Sequence, residues 1–337
     1  MTEDLQPAAP EDAQPAAAPE DAQPAAAEQQ PPQHRAPGAG EASRLRMKLT
    51  GAGVAAVVIL CLVGLMAYQT FTTRLDSARK VDAATALIED ADVIVVQVDT
   101  VVRSEVTSTL AEPARIAASQ VPDATNQLKR AIELLEDSRA GNTLDDEKRG
   151  KGLLAAAEAR LKMMEQAPTI LRLNMAASDA LLPARQGWDG LVAADGKSDR
   201  AVAAYNRLNK AGVLESRRLN REVASELAAA RKQLEVAERL FPEAPFDAYL
   251  AYVDLRISLN RLSQQSDAAW LKGDLKKANS IIATYNTQDA SAIARAKALP
   301  ETPEKAIAEA YEAAARAATD AYYKARDSAT DADKSLR

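Results

Sequence analysis

The sequence predicts an all-α protein: a disordered tail, a single transmembrane helix, a long-helix stalk and an antiparallel helical bundle. Three observations lead there. Apolar residues recur three and four apart along an Ala-rich, Gly-poor chain, and no two-residue hairpin signal separates alternating runs. Leu49 to Tyr68 are 20 consecutive positions without a charge. Eight of the 16 prolines fall before residue 38, five of them inside a tandem repeat of the form Glu-Asp-(Leu/Ala)-Gln-Pro-Ala-Ala. The expected divisions are a tail over 1–47, a transmembrane helix over 48–70, a membrane-proximal stalk over 71–187 and a distal bundle over 188–337.

In the tail each proline removes a backbone donor and restricts the residue before it, while Ala, Gln and Glu bring too little apolar surface to offset chain entropy. The segment reads as a disordered, low-complexity cytoplasmic tether. The apolar run comes next, and a helix of about 20 residues rises roughly 30 Å, the hydrocarbon thickness of a bilayer. It starts too late for a secretory signal, so it reads as an uncleaved anchor. Arg35, Arg44, Arg46 and Lys48 precede it against Glu41, whereas Arg74, Arg79 and Lys80 beyond it mix with Asp76 and Asp82. The denser basic cluster predicts a cytoplasmic N-terminus and an extracytoplasmic C-terminal region. The sole cysteine, Cys61, sits inside the run as an inert apolar thiol or a lipidation point.

The first outer helix is expected to continue to about Leu110, with Leu87, Ala91, Ile94, Val98, Val102 and Val106 on one face. The β-branched stretch Val93 to Val102 has no partner strand and reads as helix. A second helix is expected after Pro122, ending near Gly141. A third opens at Thr143 as N-cap, with Asp145, Asp146 and Glu147 in its first turn. Those acids lack the alternation and glycine of a calcium loop, and they read as a dipole-compensated helix start.

Phe71 and Trp188 bracket a stretch without aromatics, and eleven aromatics follow from Trp188 onward. Aliphatic helices pack thinly and aromatics fill wider cores, which predicts a slim stalk, of coiled-coil type, and a thicker distal bundle. There Leu219, Val223, Leu227, Ala230, Leu234, Ala237 and Phe241 form one seam, and Phe241-Pro-Glu-Ala-Pro-Phe246 turns the chain. A helix over 246–271 carries Tyr249, Val253 and Ile257 on one side and Leu255, Leu259 and Leu262 on another, which predicts the most central position. Gly273-Asp274 ends it, another helix runs to Leu299, and Thr302 and Pro303 start the last.

Trp188 leads into Asp195-Gly-Lys, Ala201 and Tyr205-Asn206, and Trp270 leads into Gly273-Asp274, Ala278 and Tyr285-Asn286. The pattern is similar to the helix-turn-helix of tetratricopeptide repeats, but the copies start 82 residues apart and the other consensus positions are missing. It reads as ordinary helical-hairpin chemistry.

Function is bounded mostly by exclusion. Eight of the 48 acids and 4 of the 42 basic residues precede Leu49, leaving 40 against 38, a balance that argues against a nucleic-acid surface. The single histidine, His34, lies in the tail, so the outer region offers no His or Cys for nucleophilic triads, zinc or di-iron sites, and no Gly-rich phosphate loop. No catalytic residue, cofactor or metal site is assigned, and the protein is expected not to be an enzyme. The aromatics Trp188, Trp270, Tyr249, Tyr252 and Tyr285 are the candidates for lining a pocket or plugging the core. The leading expectation is a non-catalytic, membrane-anchored extracytoplasmic scaffold or interaction protein, whose partners are the lipid bilayer and a second protein or a copy of itself. The alternatives are the ligand-binding outer domain of a sensor or transport complex and, last, a carboxylate-based glycan enzyme.

Overall fold

The computed structural model describes residues 51–139 and 144–337, with side chains over 60–139 and 146–337. The tail, His34, Gly141 and Thr143 lie outside the described residues. The chain divides between Val58 and Ile59, and the packing below belongs to the second unit. Seven helices make up the described chain: α1 (Gly51–Val102), α2 (Ala111–Ser138), α3 (Leu144–Tyr205), α4 (Lys210–Leu240), α5 (Phe246–Leu271), α6 (Leu275–Ala298) and α7 (Pro303–Ser335). No strand occurs among the described residues, and Val93 to Val102 is helical.

Side chains 60–76 of α1 are all exposed, large apolar ones included: Leu60 is 71%, Met66 66% and Phe71 61% exposed. Among the described residues no helix is long and apolar enough to cross a membrane. The predicted run starts at Leu49, and its first half has no described side chains.

Packing begins at Ser77. From there Val81, Ala84, Ile88, Ala91, Val95, Val98 and Val102 are buried at alternating steps of three and four, the heptad spacing that keeps one seam facing its partners. On α2 the same spacing runs through Ala114, Ala117, Val121, Ala124, Leu128, Ala131 and Leu135. These seams, Leu153 to Leu171 of α3, and Tyr322, Ala325 and Ala329 of α7 form a first core. It is rich in alanine, and its aromatic filler is Tyr322 from the far end of the chain. Arg160 ties three of its helices together, pairing with Asp92 of α1 and with Asp333 of α7, the latter at 3.0 Å. The α1–α2 turn is fastened to α3 by Ser178, which donates to Thr107 O at 2.6 Å and accepts from Ala111 N at 2.9 Å.

A second core starts at Leu173 on the same α3, two residues beyond the last α3 member of the first. It joins Ala177 to Ala194 of α3, Val223 to Phe241 of α4, Phe246 to Leu259 of α5 and the first half of α7. The alanine and glycine positions of α3 let α4 lie close. A Cβ on Gly187 would stand 2.8 Å from Leu234 Cγ and 3.1 Å from the Ala230 carbonyl.

Several expectations change. α2 begins at Ala111 and Pro122 lies inside it. Pro113 falls in its first turn, where backbone donors have no helical partner anyway, and the seam continues unbroken on both sides of Pro122. Trp188 precedes no break: it lies inside α3, as do Gly190 and Gly196, and the turn comes only at Asn206. α5 has the predicted limits, but α3 is the central helix. Leu153 to Ser178 of α3 are buried around a broad arc, whereas Leu255, Ile257 and Leu262 of α5 are half-buried. α7 starts as predicted, with the Thr302 hydroxyl accepting from Lys305 N at 3.2 Å and Pro303 at the first helical position.

Candidate functional site: a polar cavity at the bundle tip

The heptad seams of α4 and α5 change chemistry toward the tip where α3 turns into α4 and α5 into α6. Below, the α4 seam is Val223, Leu227, Ala230 and Leu234; three and seven residues before Val223 it is Asn220 and Ser216, both 2% exposed. On α5 the buried positions pass from Val253 and Leu259 to Asn260, Ser266 and Asp267. Buried polar groups cost free energy unless they are hydrogen-bonded, so five at one level require a connected network.

That network is present. Asp267 is fully buried; its Oδ1 accepts from the Ser216 hydroxyl at 3.0 Å and its Oδ2 from Asn220 Nδ2 at 2.8 Å. Asn260 and Gln264 both donate to the Asn220 carbonyl, at 3.0 and 3.1 Å. Ser266 Oγ lies 2.9 Å from the Tyr205 hydroxyl at the end of α3. The donors on Asp267 are neutral, and burial pushes its carboxyl above the usual range, opposed by the Asn220 and Ser216 hydrogen bonds and by the charge of Arg217.

Beside this network lies a cavity of about 250 Å³. Asp267, Ser216 and Asn220 line its buried end; Asn206 and Asn286, which are exposed, line its mouth. Tyr205 and Tyr285 stand on the walls contributed by α3 and α6. α6 covers this side lightly, with only Ala278 and Ala292 fully buried along its length.

A second polar cluster adjoins it through Tyr285. Arg256 of α5 pairs with Asp195 of α3 at 2.5 Å and with Asp289 of α6 at 3.5 Å, and the Tyr252 hydroxyl donates to Asp195 at 3.5 Å. Burial raises the Asp195 carboxyl, opposed by Arg256. Burial likewise raises the Tyr285 and Tyr252 hydroxyls.

Of the five aromatics singled out from sequence, Tyr285 lines the cavity. Tyr252 closes the ion cluster. Trp188 and Tyr249 meet edge to face at 6.1 Å in the second core, and the Tyr249 hydroxyl donates to Pro300 O at 3.1 Å. Trp270 is half-buried at the end of α5, outside the cavity wall. The residues that define the cavity floor, Ser216, Asn220 and Asp267, carry no motif. Their signal is positional: polar side chains where the heptad count demands apolar ones. The Tyr-Asn pairs of the two similar segments also converge, since Tyr205, Asn206, Tyr285 and Asn286 all line this cavity, although the turn follows Tyr205 in the first segment and precedes Tyr285, at Gly273, in the second. Among the described residues no group of His, Cys, Asp and Glu is arranged to hold a metal ion. Comparison with protein-family models, curated proteins and solved structures finds no match.

Proposed function

We propose that the protein is a single-pass, membrane-anchored, non-catalytic helical domain whose distal bundle binds a small ligand outside the cytoplasm, as the outer part of a sensor or transport complex. The observation that carries this reading is the tip cavity: a buried, hydrogen-bonded polar floor under an open mouth, beside a core of aliphatic and aromatic side chains. Passive packing gives no reason for such a floor, because apolar residues at the same seam positions would bury without needing partners. A few convergent polar groups in a concavity are what recognition of a small molecule requires.

The anchor reading is supported by the charge-free run from Leu49 to Tyr68 and by the bare apolar surface of residues 60–71, which a bilayer would cover. Its orientation rests on Arg44, Arg46 and Lys48. In this reading the ligand state is passed to a protein partner or to a second copy through the helices. The scaffold reading keeps one observation of its own: the Arg160 tie and the continuous seams of the first core make a stiff spacer between membrane and tip.

A reporter active only outside the cytoplasm, fused after Arg337, should give signal; activity confined to an N-terminal fusion reverses the topology. Full-length protein purified in detergent should lose a co-purifying small molecule, detected by mass spectrometry after denaturation, when Ser263→Phe fills the cavity. Identical release from both proteins, with partners captured equally by both, returns the protein to the scaffold reading.

A further inference from the structure

The lining of the tip cavity has a sign. The one ionisable acid at its floor, Asp267, is wholly buried and receives hydrogen bonds only from the neutral Ser216 and Asn220, and no cationic side chain lies within ion-pair distance of it among the described residues. None of the residues lining the cavity is Lys, Arg or His. An anion entering here would meet a carboxylate and no cationic side chain on the lining, since the Arg217 charge that acts on Asp267 comes from outside the cavity wall. A cation would supply the direct ion-pair partner that Asp267 lacks, in a place where low dielectric strengthens the pairing. The rest of the wall suits a cation as well: Tyr205 and Tyr285 are aromatic, and Ser263 and the amide oxygens of Asn206 and Asn286 are further acceptors.

We propose that this cavity binds a small organic cation, a primary amine of metabolite size, with its ammonium against Asp267. The inference rests on the ligand-binding reading above and narrows it to one class. Size sets the upper bound, since about 250 Å³ is below the roughly 300–1,000 Å³ of pockets for drug-sized molecules. A primary ammonium has three donors, and the floor and mouth together supply acceptors for all of them.

The test uses the full chain in detergent micelles, titrated calorimetrically with n-butylamine, ethanolamine, choline, n-butanol and butyrate. Butylamine or ethanolamine should bind to the wild type, with butanol and butyrate silent. Asp267→Asn keeps the shape and removes the charge, and it should weaken amine binding roughly 10- to 100-fold, the value of a charged hydrogen bond. Circular dichroism confirms that the variant is folded, and Ser263→Phe provides an independent block of the same cavity. Butanol or butyrate binding that Ser263→Phe abolishes overturns the amine and leaves the ligand-binding reading standing. Choline binding as tightly as the primary amines overturns the hydrogen-bonded ammonium. Amine binding unchanged in both variants places the site elsewhere and overturns the proposal. No binding by any probe, together with identical small-molecule release from wild type and Ser263→Phe, overturns both proposal and reading.

Discussion

Three glycines along α3 form a graded series in which helix propensity and packing oppose each other. At Gly196 an added Cβ meets nothing within 4 Å; at Gly190 it lies 3.3 Å from Ala230 Cβ; at Gly187 it would stand 2.8 Å from Leu234 Cγ and 3.1 Å from a backbone oxygen. Gly→Ala in a helix interior gains up to about 1 kcal/mol, unopposed at Gly196. Gly196→Ala should therefore stabilise by ~0.5–1 kcal/mol. At Gly187 the methyl group forces α4 to move, because neither Leu234 Cγ nor the Ala230 carbonyl is the free end of a flexible chain. Overpacking of this kind costs typically 1–3 kcal/mol, so the net effect is a loss of ~0–2 kcal/mol. Gly190→Ala should fall between the two. Thermal unfolding of the full chain in detergent, followed by far-ultraviolet circular dichroism, should separate the outer variants by a few degrees, at ~2 °C per kcal/mol for a chain of 337 residues. If Gly187→Ala melts as high as Gly196→Ala, the close approach of α3 and α4 is wrong.

Asp267→Asn should gain stability over the wild type as pH rises. The carboxyl is held above its ordinary 3.8 by burial, so the stability this group contributes is fully present below that value and is lost as pH climbs through the raised one; Arg217 is the charge that acts on it, and Tyr205 and Tyr285 are the titratable groups of the cavity wall. Urea midpoints of the two proteins should coincide in acid and diverge toward neutrality; a constant gap refutes the shift. Leu259, 2% exposed, should cost ~2–5 kcal/mol on truncation to Ala, and half-buried Ile257 clearly less; equal losses in denaturant unfolding contradict the one-sided burial of α5. Leu208 holds φ 51° while 67% exposed, so Leu208→Gly should be neutral or stabilising by up to ~1 kcal/mol, where Gly in an ordinary helical site destabilises. Differential scanning calorimetry reads the sign.

Most of the helices were legible because their signals are local. Phe241-Pro-Glu-Ala-Pro-Phe246 and Gly273-Asp274 punctuate the chain where backbone chemistry demands it, and Thr302-Pro303 caps a helix by its own side chain. The continuity of α3 was not legible, because Pro168, Pro183, Gly190 and Gly196 all look like breaks locally and are overruled by burial on two cores. The cavity was hidden for a related reason. Ser216, Asn220 and Asp267 look like surface residues until the partner helix is in place, and a count extended backward from Leu219 into polar positions has no meaning without it. Tyr322 misled in the opposite direction: it sits late in the chain, yet fills the first core, because α7 runs the full return.

α3 has 62 residues, about 93 Å at 1.5 Å per residue, with Tyr205 of the cavity wall at one end and Arg160 toward the other. No loop interrupts it, so one continuous helix joins the two cores. Small residues at Gly187 and Ala230 act as its bearing against α4, and Pro168 and Pro183 each remove one backbone donor, marking the two points of greatest compliance. The first lies beside the junction of the two cores. Beyond that point Arg160 fastens the helix to two others at once, through carboxylate partners on α1 and α7.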